Sequence, residues 1–134
     1  MKPRVLIVDD EPDILDLVDF KLSGEGFEVV RAVNGIEGLH RARCESPDVI
    51  VVDVMLPDLN GLTVCEILGT QPSTRDVPVV VLSALTRPAT RSHGAKVRVF
   101  HWLNKGSDFH MLADCVRAAA GQHLERVRLR VQAE

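Results

Sequence analysis

Apolar and polar positions fall into blocks along this chain, and the period changes from block to block. Arg4 to Val8 is a short aliphatic run that ends abruptly in acids, the pattern of a strand buried on both faces. From Pro12 to Ser23, the residues Ile14, Leu15, Val18 and Leu22 recur at helical spacing. Pro12 suits a first helical turn, and Gly24 and Gly26 stop the helix. Phe27 to Ala32 reads as a second strand, and Asn34 as the N-cap of a helix carrying Ile36, Leu39 and Ala42. Asp48 to Val54 is a third, nearly continuous apolar strand flanked by acids. Pro57 to Gly61 is a loop, Leu62 to Leu68 a helix, and Val77 to Leu82 a fourth strand. Thr86 to Ala95 is read as a helix opened by Pro88, and Val97 to Leu103 as a fifth strand. Ser107 or Asp108 caps a final helix bearing Phe109, Leu112, Val116 and Ala120.

Strands that are apolar throughout, separated by amphipathic helices, predict an α/β fold with a parallel sheet covered on both faces. Crossovers in such a sheet are right-handed, and ligands bind at the carboxyl ends of its strands. What stands at those ends is therefore the informative part of the sequence. The first strand ends in Asp9, Asp10 and Glu11, the third in Asp53, the fourth in Ser83 and the fifth in Lys105. A parallel sheet brings these termini to one edge, so carboxylates, a hydroxyl and an ammonium meet in one pocket. Taken singly each has a plain structural use, and Asp9 and Asp10 suit the start of the helix at Pro12. Taken together they suit different chemistry. Crowded carboxylates repel unless a cation sits among them. Oxygen donors without histidine or cysteine favour Mg²⁺. Asp53 then suits a carboxylate nucleophile toward a phosphoryl group, with Lys105 neutralising charge on the group in transfer.

At these residues the chain resembles the response-regulator receiver (CheY-like) domains of two-component signalling systems, over almost its whole length. VLIVDDEPDIL is similar to that family's first strand and acidic pair, and PDVIVVDVMLPDLNGL to its phosphoacceptor strand and following loop. VPVVVLSA is similar to its fourth strand with a small hydroxyl residue, and the lysine of LNKG falls where the family carries its characteristic lysine. The resemblance implies a doubly wound, flavodoxin-like (βα)5 fold with strand order 2-1-3-4-5. It implies that Asp53 accepts a phosphoryl group from a sensor histidine kinase or phosphotransfer protein. It implies Mg²⁺ held by Asp10, Asp53 and the Met55 backbone carbonyl, with Asp9 acting through water. Ser83 and Lys105 would contact the phosphoryl group, and Ser83 and Trp102 would form the switch. Output would be altered binding on the face formed by the helix predicted at 86–95, the fifth strand and the final helix. Turnover catalysis is not implied beyond self-catalysed phosphotransfer and dephosphorylation at Asp53.

Three positions depart from the family pattern. Gly106 stands where the family has a proline joined by a cis bond to the lysine. A cis bond before glycine costs about 3–4 kcal/mol, which argues for a trans Lys105–Gly106 peptide and a differently shaped loop. Gly94-Ala95 comes early relative to the fifth strand, and Trp102 is bulkier than the usual switch Tyr or Phe. In the family, the positions held here by Met55 and Leu85 flank the approach of water to the phosphate, so with apolar groups there the resemblance implies slow self-dephosphorylation.

Two alternatives compete. A degenerate receiver working by phosphorylation-independent contacts is kept open by the changes around Lys105. A haloacid-dehalogenase-like phosphohydrolase requires a second acid two residues after the nucleophile, where this chain has Met55.

Composition narrows the picture further. The 134 residues suit one domain, read as a receiver over 1–121 and an extension of the last helix over 122–134. A net charge of −3 gives no general attraction to nucleic acid or anionic membrane. The apolar runs are far shorter than the ~20 residues of a membrane span, and the first is too short for a signal sequence. Cys44, Cys65 and Cys115 fit no metal or disulfide framework. A cytoplasmic protein with reduced thiols is expected. In the tail, Leu124, Val127 and Val131 are spaced like a short heptad seam among Arg126, Arg128 and Arg130. The tail is read as an overlong final helix, a stalk to an output domain, or a small dimer seam. A monomer or weak dimer without direct nucleic-acid contact is expected.

Overall fold

The structure is a computed structural model that describes residues 2–84 and 99–133. The five strands are β1 (Arg4–Val8), β2 (Glu28–Ala32), β3 (Val49–Val52), β4 (Val79–Ser83) and β5 (His101–Asn104). All pair in parallel, in the order β2-β1-β3-β4-β5. The helices among the described residues are α1 (Pro12–Gly24), α2 (Gly35–Glu45), α3 (Gly61–Thr70) and α4 (Leu112–Ala133). This is the doubly wound sheet that the sequence predicts. The reading at Thr86 to Ala95, the early Gly94-Ala95, Leu85 and the start of the predicted fifth strand lie outside the described residues.

The period of two along each strand divides the core into two layers. Val5 and Ile7 of β1, Val49 and Val51 of β3, and Val80 and Leu82 of β4 face one side. There they pack on Leu15, Val18 and Leu22 of α1 and on Leu112, Val116 and Ala119 of α4. Leu6, Val8, Ile50, Val52 and Val81 face the other side, against Leu39 and Ala42 of α2 and Leu62, Val64 and Leu68 of α3. Because both faces are covered, β1 and β3 are buried almost throughout, which explains their unbroken aliphatic sequences.

Local signals placed several boundaries. Pro12 stands in the first turn of α1, and Gly26 adopts φ 94° just after it. The Asn34 side chain accepts from the Glu37 amide at 2.8 Å, capping α2. Asn60 does the same for α3 through the Leu62 amide at 2.8 Å. The final helix differs from expectation. A 3₁₀ turn, Phe109–Met111, precedes it, and neither Ser107 nor Asp108 caps an α-helix. The Asp108 carboxylate instead turns back and accepts from the Asn104 amide at 2.9 Å. From Leu112, α4 runs without a break to Ala133, so the tail is continuous with it.

Candidate functional site

The carboxyl end of the sheet is where β1, β3 and β5 deliver charge. Asp53 follows β3, and its amide donates to the Val8 carbonyl at 3.0 Å, so the strand ladder itself fixes the residue. Asp9 follows β1 and is fixed the same way by the Ala32 carbonyl at 3.1 Å. Both are buried, at 2 % exposure for Asp9 and 4 % for Asp53, which is rare for a carboxylate without a partner. Their shared partner is Lys105. Its Nζ lies 2.9 Å from Asp9 Oδ2, 2.8 Å from Asp53 Oδ2 and 2.7 Å from Glu11 Oε1. Lys105 thus reaches both buried carboxylates although Gly106 replaces the family's proline. The Lys105–Gly106 peptide is trans, as the cost argument anticipates, and the ammonium reaches the pocket.

The electrostatics follow from this crowding. Burial pushes the Asp9 carboxyl above its ordinary range, opposed by the Glu11 amide and by Lys105, with the charge of Asp53 adding to the rise. Burial works against the charge of Lys105 too, but the carboxylates of Asp53, Glu11 and Asp9 outweigh it and hold the ammonium protonated. Asp10 is exposed at the rim and completes the acidic set. Oxygens of Asp9, Asp10, Glu11 and Asp53 all lie within 4.8 Å of one another. One ammonium among four carboxylates leaves an excess of negative charge held by oxygen donors alone. That donor set fits a hard divalent cation such as Mg²⁺.

The remaining expected residues are placed as follows. Ser83 is the last residue of β4 and fully buried, and its carbonyl accepts the Lys105 amide at 2.9 Å. The Met55 amide donates to Asp53 Oδ1 at 3.2 Å, while its side chain is exposed. Trp102, in β5 opposite Val81, is half-buried against the α2–α3 side of the core. Asp53, Asp9, Asp10 and Lys105 thus converge, with Ser83 and Met55 in direct backbone or side-chain contact with the set.

Four further residues shape the site and were not singled out for it. Glu11, seen only as part of an acidic run, holds Lys105. Gly61 brings the start of α3 against the end of β3: a Cβ there would lie 2.0 Å from the Asp53 carbonyl oxygen. Asp58 ties the loop after β3 to the start of α2, accepting from Gly35 at 2.7 Å and Ile36 at 2.9 Å. Asn104 organises the loop of Lys105. Gly61 and Asn104 stand in Asn-Gly and Asn-x-Gly sequences, turn signals that could have drawn attention to them. A surface cleft of about 630 Å³ lies elsewhere, lined by residues such as Leu68, Val77, Phe100 and Arg126. Among its described lining residues the acid is Asp76, in place of a cluster.

Comparison with known proteins agrees with this geometry. The family model of the response regulator receiver domain matches residues 5–117. The chain is 40 % identical over 116 residues to the DNA-binding dual master transcriptional regulator RpaA of Synechocystis, covering 87 % of this chain and 48 % of that protein. It is 38 % identical over 118 residues to the response regulator PleD of Caulobacter vibrioides, covering 88 % of this chain and 26 % of PleD. The chain thus spans half or less of the length of these curated relatives. Among solved structures it is similar to the chemotaxis response regulator CheY4 of Vibrio cholerae, with TM-score 0.80 and 28 % identity over 89 % of this chain and 99 % of that one. It is also similar to a sensor protein from Polaromonas sp. JS666, with TM-score 0.84 and 28 % identity over 92 % of this chain and 99 % of that one. A doubly wound sheet, a buried aspartate pair at its carboxyl edge and a family match over most of the chain lead to one conclusion: this chain belongs to the response regulator receiver domains of two-component systems.

Proposed function

We propose that this receiver is switched by phosphorylation of Asp53, with the phosphoryl group supplied by a sensor histidine kinase or phosphotransfer protein. The observation that carries the reading is the buried Asp53 carboxylate, 2.8 Å from the Lys105 ammonium and within the acidic cluster of Asp9, Asp10 and Glu11. A Mg²⁺ ion, when bound, would neutralise charge on the phosphoryl group. Asp10, Asp53 and the Met55 carbonyl would hold it, with Asp9 acting through water. Lys105 has to exchange its contact with Asp53 for one with the incoming phosphoryl oxygens. Because Asp9 and Glu11 also hold it, the ammonium stays at the site during that exchange.

Burial keeps water away from the Asp53 carboxylate, which protects an acylphosphate once formed. The exposed Met55 side chain orients no attacking water, so slow self-dephosphorylation is expected. A phosphoryl lifetime of seconds without an accessory phosphatase contradicts that expectation. On this reading the chain performs only its own phosphotransfer and dephosphorylation. Ser83 would contact the phosphoryl group, and Trp102 on the neighbouring strand would carry the change toward a downstream protein or output domain. Such a domain is a two-state element biased by a local change of charge. The Lys105–Asp53 contact supports this reading over a phosphorylation-independent one.

Intact mass after treatment with acetyl phosphate and Mg²⁺ tests the proposal on the wild type and Asp53→Asn. A phosphate adduct in the wild type alone supports it. A change in fluorescence of Trp102, the single tryptophan, in the same samples reports on the switch. No adduct in the wild type, with no response to Mg²⁺, overturns it.

A further inference from the structure

The loop that carries Lys105 is short, exposed on its outer side, and lacks the proline of the family pattern. Something else must set the direction in which the lysine leaves β5. The structure shows a dense set of bonds around one side chain. Asn104 Oδ1 accepts from the Gly106 amide at 2.8 Å and from the Ser107 amide at 3.1 Å. The Asn104 amide donates to Asp108 Oδ2 at 2.9 Å, and its carbonyl accepts the Asp108 amide at 3.1 Å. On the other side of the turn, the Lys105 amide stays in the sheet ladder on the Ser83 carbonyl at 2.9 Å. The backbone of Lys105 is therefore pinned before and after its Cα. A Cβ at Gly106 would come within 3.3 Å of Asn104 Oδ1, so glycine lets the two residues close together.

We infer that Asn104 is a positioning residue for Lys105, folding the Asn104–Asp108 turn so that the ammonium is aimed at Asp53, Asp9 and Glu11. The inference rests on the phosphoacceptor reading for its effect on phosphorylation, though not for its effect on Lys105 itself. A lysine has a flexible stem, and a Cα free to wander would let the ammonium leave the pocket for water. Asparagine accepting from two successive amides gives the turn a fixed shape without proline. The arrangement also explains why Asp108 does not cap the final helix: its carboxylate belongs to the same turn.

The test compares Asn104→Ala, Asn104→Ser, Lys105→Met and the double variant Asn104→Ala/Lys105→Met in the full chain. The first readout is the rate at which an amine-acylating reagent labels Lys105, followed by peptide mass. The second is the rate of Asp53 phosphorylation by acetyl phosphate at saturating Mg²⁺. Loss of aim by about 1 Å can cost up to ~100-fold, so Asn104→Ala is expected to slow phosphorylation roughly tenfold and to speed Lys105 labelling. Asn104→Ser, which keeps an acceptor oxygen, is expected to recover most of both, and it carries the test if the alanine variant fails to fold. In the Lys105→Met background, Asn104→Ala should add nothing, because it acts through the lysine. Unchanged labelling of Lys105, or losses that multiply in the double variant, overturns the inference. Faster labelling in a protein whose wild type takes up no phosphate supports the positioning role and overturns the phosphoacceptor reading alone.

Discussion

The two ends of the sheet use the same residue types to opposite effect. At the carboxyl end, Asp9, Asp53 and Glu11 converge on the single ammonium of Lys105, and two of the three are buried. At the amino end, charges pair across the surface. Arg4 meets Glu28, and Arg130 meets Asp76 at 2.7 Å. The amino end is arranged for stability, one cation to one or two anions, in water. The carboxyl end is left short of positive charge. That shortage is unfavourable for the fold taken alone, and it is the property that would draw a divalent cation and a phosphoryl donor to the site. Functional sites commonly hold such locally unfavourable arrangements.

Removing Lys105 should expose the imbalance most sharply. Breaking a buried ion pair by deleting one partner typically costs about 3–5 kcal/mol. Lys105→Met is expected at the lower end of that range, ~3 kcal/mol at neutral pH, because Glu11 is half-exposed and can relax. Urea unfolding without divalent ions measures it. A loss no larger than that of Arg130→Ala at the opposite end would show that the two clusters do not differ.

Addition of Mg²⁺ tests the same contrast from the other direction. A ligand present at 100 times its Kd stabilises the folded state by about 2.7 kcal/mol. Saturating Mg²⁺ is expected to raise the unfolding free energy of the wild type by roughly 2 kcal/mol on that basis. Asp9→Asn should lose most of this gain, whereas Asp76→Asn should keep it all. An equal response in all three proteins would separate the acidic cluster from metal binding.

The pH dependence should have opposite signs at the two ends. Burial, with the Glu11 amide and Lys105 opposing it, holds Asp9 above its ordinary value of 3.8. A carboxyl raised on folding contributes stability that is complete below 3.8 and lost as pH rises through the folded value. Asp76 is held below 3.8, chiefly by the hydrogen bond from Arg130. Its contribution is complete above 3.8 and lost as pH falls through the folded value. In thermal melts without metal, Asp9→Asn should gain on the wild type as pH rises from acid toward neutral, while Asp76→Asn should fall behind it. Curves that run parallel to the wild type at both ends would refute the contrast.

The features legible in the sequence were those written locally. Aliphatic runs marked β1 and β3 because a strand covered on both faces tolerates little else, and Asn34 and Pro12 marked helix starts because capping and first-turn geometry are one-residue decisions. The candidate site was legible to the extent that parallel topology turns strand ends into neighbours, which alone brings Asp9, Asp53, Ser83 and Lys105 to one edge. What the sequence left open was which groups touch. Lys105 and Glu11 are distant in the chain, and nothing local says that they bond at 2.7 Å. Asp108 carries the residue type of a helix cap, yet its carboxylate accepts from the Asn104 amide, and the local turn wins over the cap. Gly61 looked like the end of a loop, and only the packing of α3 on the Asp53 backbone shows why no side chain fits there.

The smallest expected effect lies at the far end of α4. Arg130 reaches back 2.7 Å to Asp76 and is the tail's clearest tie to the loop before β4. Both side chains are accessible to water, at 59 % for Arg130 and 30 % for Asp76, so solvent screens the attraction and ordering the long arginine offsets much of the rest. Arg130→Ala should therefore cost less than ~1 kcal/mol, and the cost should shrink as salt is raised. The effect of Lys105→Met should persist at the same salt concentrations, since its pairs with Asp9 and Asp53 are shielded from the ions. If Arg130→Ala proved as costly as Lys105→Met and as resistant to salt, the amino end would hold a desolvated charge cluster of its own, and the division between a stabilising end and a functional end would fail.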